Sequence, residues 1–149
     1  MGNRQAEGDD DLKTVFRITK PPPSTNNLYI NVKKGRIRSQ QYEDWIQWAG
    51  VDYMRQRPKT IKGPVNITIE VQEPKRRSDI DNRAKAPLDF LVKTGVIEAD
   101  DQTIVRKLNL AWSDEVEGVR ITIESVFSDV ALASFETGAS HDADRPDSK

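Results

Sequence analysis

The chain of 149 residues contains no cysteine and one histidine, His141. The absence of cysteine excludes disulfide bonds, thiolate zinc sites and cysteine nucleophiles. His141 lies in a polar C-terminal segment, which argues against a histidine general base or a histidine-ligated zinc site. The sequence also has no glycine-rich phosphate loop and no dinucleotide-binding fingerprint. These absences leave carboxylates and cations as the groups most available for catalysis.

Long apolar runs are also missing. Hydrophobic residues make up 36% of the chain and charged residues 32%, the mean hydropathy is -0.71, and no segment is apolar enough to cross a bilayer. The amino end has no signal-peptide pattern. We therefore expect a cytoplasmic protein with no membrane partner.

Charge is distributed unevenly along the chain. The formal net charge is -1, but residues 1–12 and 128–149 each carry a net charge of -3, whereas residues 13–127 carry 20 positive and 15 negative side chains. Both ends are polar and acidic, so we expect a disordered N-terminus (1–12), one folded domain (13–127) and a disordered tail (128–149). The basic domain suits a polyanionic partner.

The hydrophobic pattern predicts an α/β (α+β) single domain. Apolar residues alternate in four segments and recur at helical spacing in two others. Strands are predicted near 14–19, 64–73, 105–112 and 119–123, helices at about 40–56 and from Asn82 to Gly95, and a ribbon at 28–39. The expected architecture is a mixed sheet of about four strands with two main helices, in which the last two strands form a C-terminal antiparallel hairpin.

An acidic pair lies in the stretch "KRRSDIDNRAKAPLDF" (75–90). If the extended conformation persists to residue 81, Asp79 and Asp81 point to the same side of the chain. Paired carboxylates are hard oxygen ligands of the kind that Mg²⁺ or Mn²⁺ prefers. The alternative is structural: Asp81 caps the following helix and Asp79 pairs with a nearby arginine.

A second acidic cluster follows the second helix and contains Glu98, Asp100 and Asp101. If the strand after it lies beside the strand that leads to Asp79, one of these carboxylates can join the acidic pair. Three carboxylates would bind one or two divalent ions, which suits metal-assisted hydrolysis of a phosphodiester. The alternative is a solvated turn.

Cations flank the acidic pair. They are expected to hold a nucleic-acid backbone, because carboxylates alone would repel it. The candidate DNA-binding residues are Lys75, Arg76 and Arg77 before the pair and a second strip of Lys33, Lys34, Arg36 and Arg38. Lys85, four residues after Asp81, would return to the same neighbourhood on a helix. Solvated surface charge is the alternative for these strips.

The segments "PPPSTNNLY" and "RRSDIDNRAKAPLDFLVKTGVIEADDQTIV" together resemble the RusA family of Holliday junction resolvases, over about residues 14–127. The resemblance implies a homodimeric, Mg²⁺-dependent endonuclease from a bacterial or phage-infected cell. It assigns catalytic roles to Asp79, Asp81, Lys85 and Asp100, and metal binding to the three aspartates. The chain departs from the family pattern at Ala99, where a second acid is usual, so Asp101 is an alternative to Asp100 as a ligand. Pro87 predicts that the second helix starts late or bends.

The resulting hypothesis is a homodimer that resolves four-way DNA junctions by paired cuts. Two alternatives remain. One is a non-catalytic module that binds branched DNA, in which the acids are structural. The other is a nuclease that acts mainly on flaps or forks.

Overall fold

The computed structural model describes residues 12–127. The predictions for the N-terminus before Leu12 and for residues 128–149 lie outside this range. The elements whose bounds lie within these residues are six strands, two α-helices and two short 3₁₀ turns: β1 (Lys13–Ile18), a 3₁₀ turn (Thr25–Asn27), β2 (Tyr29–Val32), β3 (Gly35–Arg38), α1 (Gln40–Gln56), β4 (Val65–Gln72), a second 3₁₀ turn (Ile80–Arg83), α2 (Lys85–Thr94), β5 (Val105–Ser113) and β6 (Val119–Ser125). Neither helix in this part of the chain is long and apolar enough to cross a membrane.

The main sheet has four strands in the order β1-β6-β4-β5 and is mixed, as predicted. β5 pairs parallel with β4, whereas β6 pairs antiparallel with both β1 and β4. The last two strands run in opposite directions, but β4 lies between them, so they do not form the hydrogen-bonded hairpin that was predicted. The chain crosses from β4 through α2 to β5, and this crossover places β5 parallel to β4 along one of its edges. β6 pairs with the other edge of β4 and is therefore separated from β5.

The core lies between one face of this sheet and the two helices. Val65, Ile67, Ile69 and Val71 alternate along β4 and are fully or almost fully buried. Their neighbours on β6 follow the same alternation. Burial of each such aliphatic side chain contributes roughly 1.5–3 kcal/mol relative to exposure, so the central strands provide much of the domain's stability.

Helix α1 has the bounds that its periodicity predicts. Ser39 is its N-cap, and the Ser39 side chain accepts a hydrogen bond from the backbone N–H of Tyr42. Tyr42 and Trp45 lie on the buried face. The helix ends at Arg57, which has a left-handed backbone (φ 47°).

Helix α2 starts after Asn82, and this late start is one of the two outcomes that Pro87 predicted. Residues 80–83 form the 3₁₀ turn, and the α-helix begins at Lys85 and ends before Gly95, whose φ of 82° gives the expected left-handed cap. Pro87 is the third residue of the helix, where its missing N–H would have no intrahelical partner anyway. The late start therefore accommodates Pro87 without a break in the helix.

Candidate active site and nucleic-acid interface

Asp79 and Asp81 lie in a compact turn that we call the acidic turn (residues 79–83). β4 ends at Gln72, and Glu73 still donates a backbone hydrogen bond to Ser113 at 3.0 Å. Pro74 has no N–H, so the ladder stops there. Asp79 is extended, whereas Asp81 is already in the 3₁₀ turn. The expectation that the extended conformation persists to residue 81 is therefore wrong: Asp81 lies in a turn and not in a strand.

Both carboxylates of the acidic turn are exposed and uncommitted. The side chains of Asp79 and Asp81 have no hydrogen-bond or ion-pair partner among residues 12–127. Asp79 is the N-cap of the 3₁₀ turn but its side chain makes no capping hydrogen bond, and α2 has no side-chain cap either. The structural alternative, capping or pairing with an arginine, is thus not what these side chains do within the described chain. Two free carboxylates fit the oxygen preference of Mg²⁺ or Mn²⁺.

Arg83 braces the acidic turn against the proline-rich segment. Its Nη1 donates to the carbonyl oxygen of Pro22 at 2.7 Å. Its Nη2 and Nε donate to Ser78 Oγ at 2.9 and 3.3 Å. Burial lowers the pKa of Arg83. From the other side, Thr25 Oγ1 donates to the carbonyl oxygen of Asn82 at 3.0 Å. Both ends of the turn are therefore held by groups other than its carboxylates.

The proline-rich segment is in turn fixed to α1. Buried Asp52 accepts hydrogen bonds from the N–H and the hydroxyl of Thr19 at 2.8 and 3.1 Å. Trp45 Nε1 donates to the carbonyl oxygen of Lys20 at 3.0 Å. Helix α1 thus positions the proline-rich segment whose Pro22 carbonyl accepts the hydrogen bond from Arg83. Arg83 was not among the predicted site residues; the only sequence signal for it was the co-occurrence of the "PPPSTNN" and "DIDNR" segments.

Lys85 is the first residue of α2 and forms an ion pair with Asp89 one turn later, with 3.3 Å between Nζ and Oδ1. The two groups line a cleft of about 470 Å³ together with Tyr42, Arg38 and Asp100. Burial, and then the negative charge of Asp89, raise the pKa of Tyr42 to about 12. The cleft therefore presents a cation held by a carboxylate beside a phenol that stays neutral.

The two adjacent aspartates before β5 differ in what they do. Asp101 accepts hydrogen bonds from the N–H of Thr103 at 2.9 Å and from its hydroxyl at 2.5 Å. The Thr103 hydrogen bonds lower the pKa of Asp101. Asp100 is exposed and has no such partner among residues 12–127. The geometry therefore favours Asp100 over Asp101 as the carboxylate left free for a ligand.

Asp79, Asp81 and Asp100 do not form a three-carboxylate metal site within the described residues. Among the described residues no group of three or more carboxylate or histidine side chains is close enough to hold a metal ion. β5 lies beside β4, as the prediction required, and the two strands are parallel: Val105 pairs with Val65 and Ser113 with Gln72. The loop with Asp100 therefore lies at the starting end of β4, and the convergence of Asp100 with the acidic turn stays a prediction.

The candidate DNA-binding cations are all exposed, but their partners differ. Lys75, Arg76 and Arg77 precede the acidic turn and make no hydrogen bond or ion pair within residues 12–127. In the second strip, Arg36 stacks over the ring of Tyr29 at 4.4 Å, and Arg38 pairs with Glu43 at 3.6 Å. Lys33 and Lys34 form the tip between β2 and β3. The first strip and this tip are available to phosphates, whereas Arg38 is partly neutralised.

Comparison with known proteins gives a consistent result. A family model described as "Endodeoxyribonuclease RusA" matches residues 19–124. The crossover junction endodeoxyribonuclease rusA of Enterobacteria phage 82 is 34% identical over 100 residues, covering 60% of this chain and 78% of that protein. Proteins of the same name from Escherichia coli K12 and Shigella sonnei Ss046 are 34% and 33% identical, over 95 and 100 residues, and the same shares of each chain are covered. The chain belongs to the RusA family.

Proposed function

We propose that the chain is a Mg²⁺-dependent endonuclease that resolves four-way DNA junctions. The observation that carries the proposal is the acidic turn, where Asp79 and Asp81 are exposed and free while their neighbours are used to hold the turn. Membership of a family whose curated relatives are crossover junction endodeoxyribonucleases supports the same substrate class. A cytoplasmic location in a bacterial or phage-infected cell fits this role.

The proposed roles follow from charge and position. Asp79, Asp81 and Asp100 would hold Mg²⁺, or Mn²⁺ in its place. When bound, the ion would supply an activated water and neutralise charge on the phosphate. Lys85 would stabilise negative charge on the phosphate or the leaving oxygen, and Asp89 would orient its ammonium group.

The cations of the first strip are proposed to place the DNA. Lys75, Arg76 and Arg77 lie a few residues before Asp79, so a phosphate backbone held by them would run towards the acidic turn. Lys33 and Lys34 would contact a second stretch of backbone. Such contacts carry little sequence information, and their strength falls steeply with salt.

A homodimer is proposed for two reasons. Paired cuts in a four-way junction match the two-fold symmetry of a dimer. In addition, the described residues of one chain bring no three carboxylates together, so we propose that a second copy supplies Asp100.

Mixing two inactive variants tests this arrangement. If Asp100 completes the site of the partner subunit, an Asp81→Asn chain paired with an Asp100→Asn chain has one intact site, and nicking returns on mixing. If each chain uses its own Asp100, both sites of the mixed dimer are defective and no activity returns. A sedimentation measurement that finds only monomers in both free and junction-bound protein would reject the dimer.

The central experiment compares labelled four-way junction, flap, fork and duplex DNA with and without Mg²⁺. We expect cleavage of the junction only with Mg²⁺, none after EDTA, and none by Asp81→Asn. Junction binding by that variant should persist or tighten, since a negative charge near the backbone is removed. Asp101→Asn is the matched control, because an amide oxygen can still accept the Thr103 hydrogen bonds, and it should cleave normally.

Two results would redirect the proposal. Tight junction binding without any Mg²⁺-dependent nicking would indicate a non-catalytic module for branched DNA. Faster cleavage of flaps or forks than of four-way junctions would retain the nuclease and change its substrate. Continued cutting by Asp81→Asn would contradict the assignment of the acidic turn.

A further inference from the structure

The β2–β3 hairpin, which we call the arm (residues 29–38), is separate from the main sheet. β2 and β3 pair only with each other, in a two-stranded antiparallel sheet. Tyr29 lies opposite Arg38, and Ile30 lies opposite Ile37. Because directly opposed residues share a face, the arm has one face with Tyr29 and Arg38 and another with the isoleucine pair.

The face with Tyr29 and Arg38 is turned to the body of the protein. The ring of Tyr29 makes an edge contact with Tyr42 of α1 at 5.9 Å between ring centroids. The guanidinium of Arg36 lies over the Tyr29 ring, and that of Arg38 lies 5.7 Å from the Tyr42 ring centroid. These contacts fix the base of the arm to α1 and leave its second face without cover.

The second face is apolar and exposed. Ile30 and Ile37 are each 50% exposed and Val32 is 42% exposed. Exposure of one aliphatic side chain is ordinary, but three on one face of a short hairpin form an uncovered apolar patch. None of the three belongs to the hydrophobic core of the described residues or packs against it.

The positive charge of the arm restricts the kind of partner that can cover the apolar patch. The arm carries four cations, Lys33, Lys34, Arg36 and Arg38, and no acidic residue. Arg36 and Arg38 lie on the opposite face, and Arg38 pairs with Glu43. Packing of the apolar faces of two arms would still place Lys33 and Lys34 of both copies on one surface, and these like charges argue against a second copy of the chain as the occupant. A polyanion with apolar surfaces between its charges satisfies both features, and nucleic acid has this composition.

We propose that the apolar face of the arm contacts exposed base faces at the branch point of DNA, while Lys33 and Lys34 hold the adjoining phosphates. The proposal rests on the proposed function, since a branch point interrupts base stacking and exposes base faces that a continuous duplex keeps covered. Apolar side chains inserted at base steps are an established mode of contact with nucleic acid. In this reading the cations bind any DNA and the apolar face distinguishes branched DNA.

The test uses the double variant Ile30→Thr/Ile37→Thr. Threonine keeps the β-branched shape and strand preference of isoleucine but replaces part of the apolar contact with a hydroxyl. Binding is measured in EDTA, so that cleavage plays no part, with 2-aminopurine placed either at the branch point or in the middle of one arm of the junction. Circular dichroism and thermal unfolding verify that the variant is folded.

The wild-type protein should change 2-aminopurine fluorescence at the branch point and not in the middle of the duplex arm. The double variant should lose most of that signal and bind the junction about tenfold more weakly, a loss on the scale of one base-stacking contact, with duplex binding unchanged. Val51→Thr on α1, where Val51 is also 50% exposed, is the matched control and should behave as wild type.

Lys33→Gln/Lys34→Gln separates the two halves of the proposal. It should weaken junction and duplex binding alike and reduce the dependence of binding on salt. An unchanged fluorescence response and unchanged junction-to-duplex preference in the threonine variant would overturn the proposal. A shift of that variant from dimer to monomer would also overturn it and assign the patch to contact between copies. Continued cleavage by Asp81→Asn would instead count against the proposed function. That substitution does not alter the arm, so such a result would not bear on the contact between the arm and the bases.

Discussion

The bracing of the acidic turn by Arg83 gives a quantitative prediction. Arg83→Ala removes the donor to Pro22 O and both donors to Ser78 Oγ. A hydrogen bond from a charged donor contributes about 1.5–3 kcal/mol when its partner is buried. Arg83 is only partly buried and part of this loss is offset by water, so we expect a fall of about 2 kcal/mol in the free energy of unfolding. For a domain of this size that lowers the melting temperature by roughly 6 °C.

The effect on cleavage should exceed the effect on binding. The brace fixes the turn that carries Asp79 and Asp81, and a misplacement of about 1 Å at a reacting centre can cost on the order of 100-fold in rate. Single-turnover cleavage at saturating protein should therefore fall strongly, and half-maximal activity should require more Mg²⁺. Binding to the junction in EDTA should change little, since Arg83 points inward. Arg83→Lys, which can reach one acceptor but not both, should give an intermediate rate.

Arg76 supplies the control, because it is exposed in the loop that leads to the acidic turn and makes no hydrogen bond or ion pair within the described chain. Arg76→Ala should weaken DNA binding without affecting thermal stability. Thr25→Val is a milder test, since it removes only the hydrogen bond to the Asn82 carbonyl and keeps the side-chain shape. A folded Arg83→Ala protein that cleaves at the wild-type rate with the wild-type Mg²⁺ requirement would refute the reasoning.

Two further predictions concern the sheet. Gly118 and Gly63 share a φ of 78°, but a Cβ on Gly118 would collide with the carbonyl oxygen of Ile18 whereas one on Gly63 would meet open space. Gly118→Ala should therefore lower the unfolding free energy by about 3 kcal/mol or more, and Gly63→Ala by about 1 kcal/mol. Chemical denaturation measures both values, and equal losses in the two variants would contradict the collision at Gly118. On the open face of the sheet, hydrogen bonds from Arg120 at 2.7 and 3.0 Å hold the pKa of Glu70 below its ordinary value of 4.5. A depressed carboxyl pKa contributes stability above pH 4.5 and loses it as the pH falls, so Glu70→Gln should be less stable than wild type at pH 7 and equal to it in acid. A stability gap that stays constant with pH would exclude this ion pair as its cause.

Local pattern was sufficient for most elements of the fold. The spacing of Tyr42 and Trp45 together with the cap at Ser39 defined α1, and the alternation from Val65 to Val71 defined β4. These elements depend on residues close in sequence, which is why they could be read from it. Strand order could not, since the position of β4 between β5 and β6 depends on how α2 crosses the sheet.

The start of α2 shows the same limit on a smaller scale. The apolar spacing placed residues 82–84 in the helix, whereas Pro87 indicated a late or bent start without showing which contact would cause it. In the structure Arg83 is drawn to Pro22, 61 residues earlier, and the chain forms a 3₁₀ turn before the α-helix begins at Lys85. The residues around Arg83 give no indication of a contact with a segment so distant in sequence.

The aspartates were identified from sequence, whereas the distinction between them required the structure. Asp101 is used by the fold, because it accepts hydrogen bonds from the turn before β5. Asp79, Asp81 and Asp100 are not used by the fold within the described chain, and the acidic turn is held by Arg83 and Thr25 instead. A turn selected for stability alone would use its own aspartate as a cap, as many helix starts do. Here the capping position is filled by an aspartate whose side chain is left free, and the stabilising contacts come from another segment. A turn that binds a ligand requires this separation between the side chains that stabilise it and the carboxylates that contact the ligand. A carboxylate already hydrogen-bonded to its own backbone would have to break that bond to hold a cation.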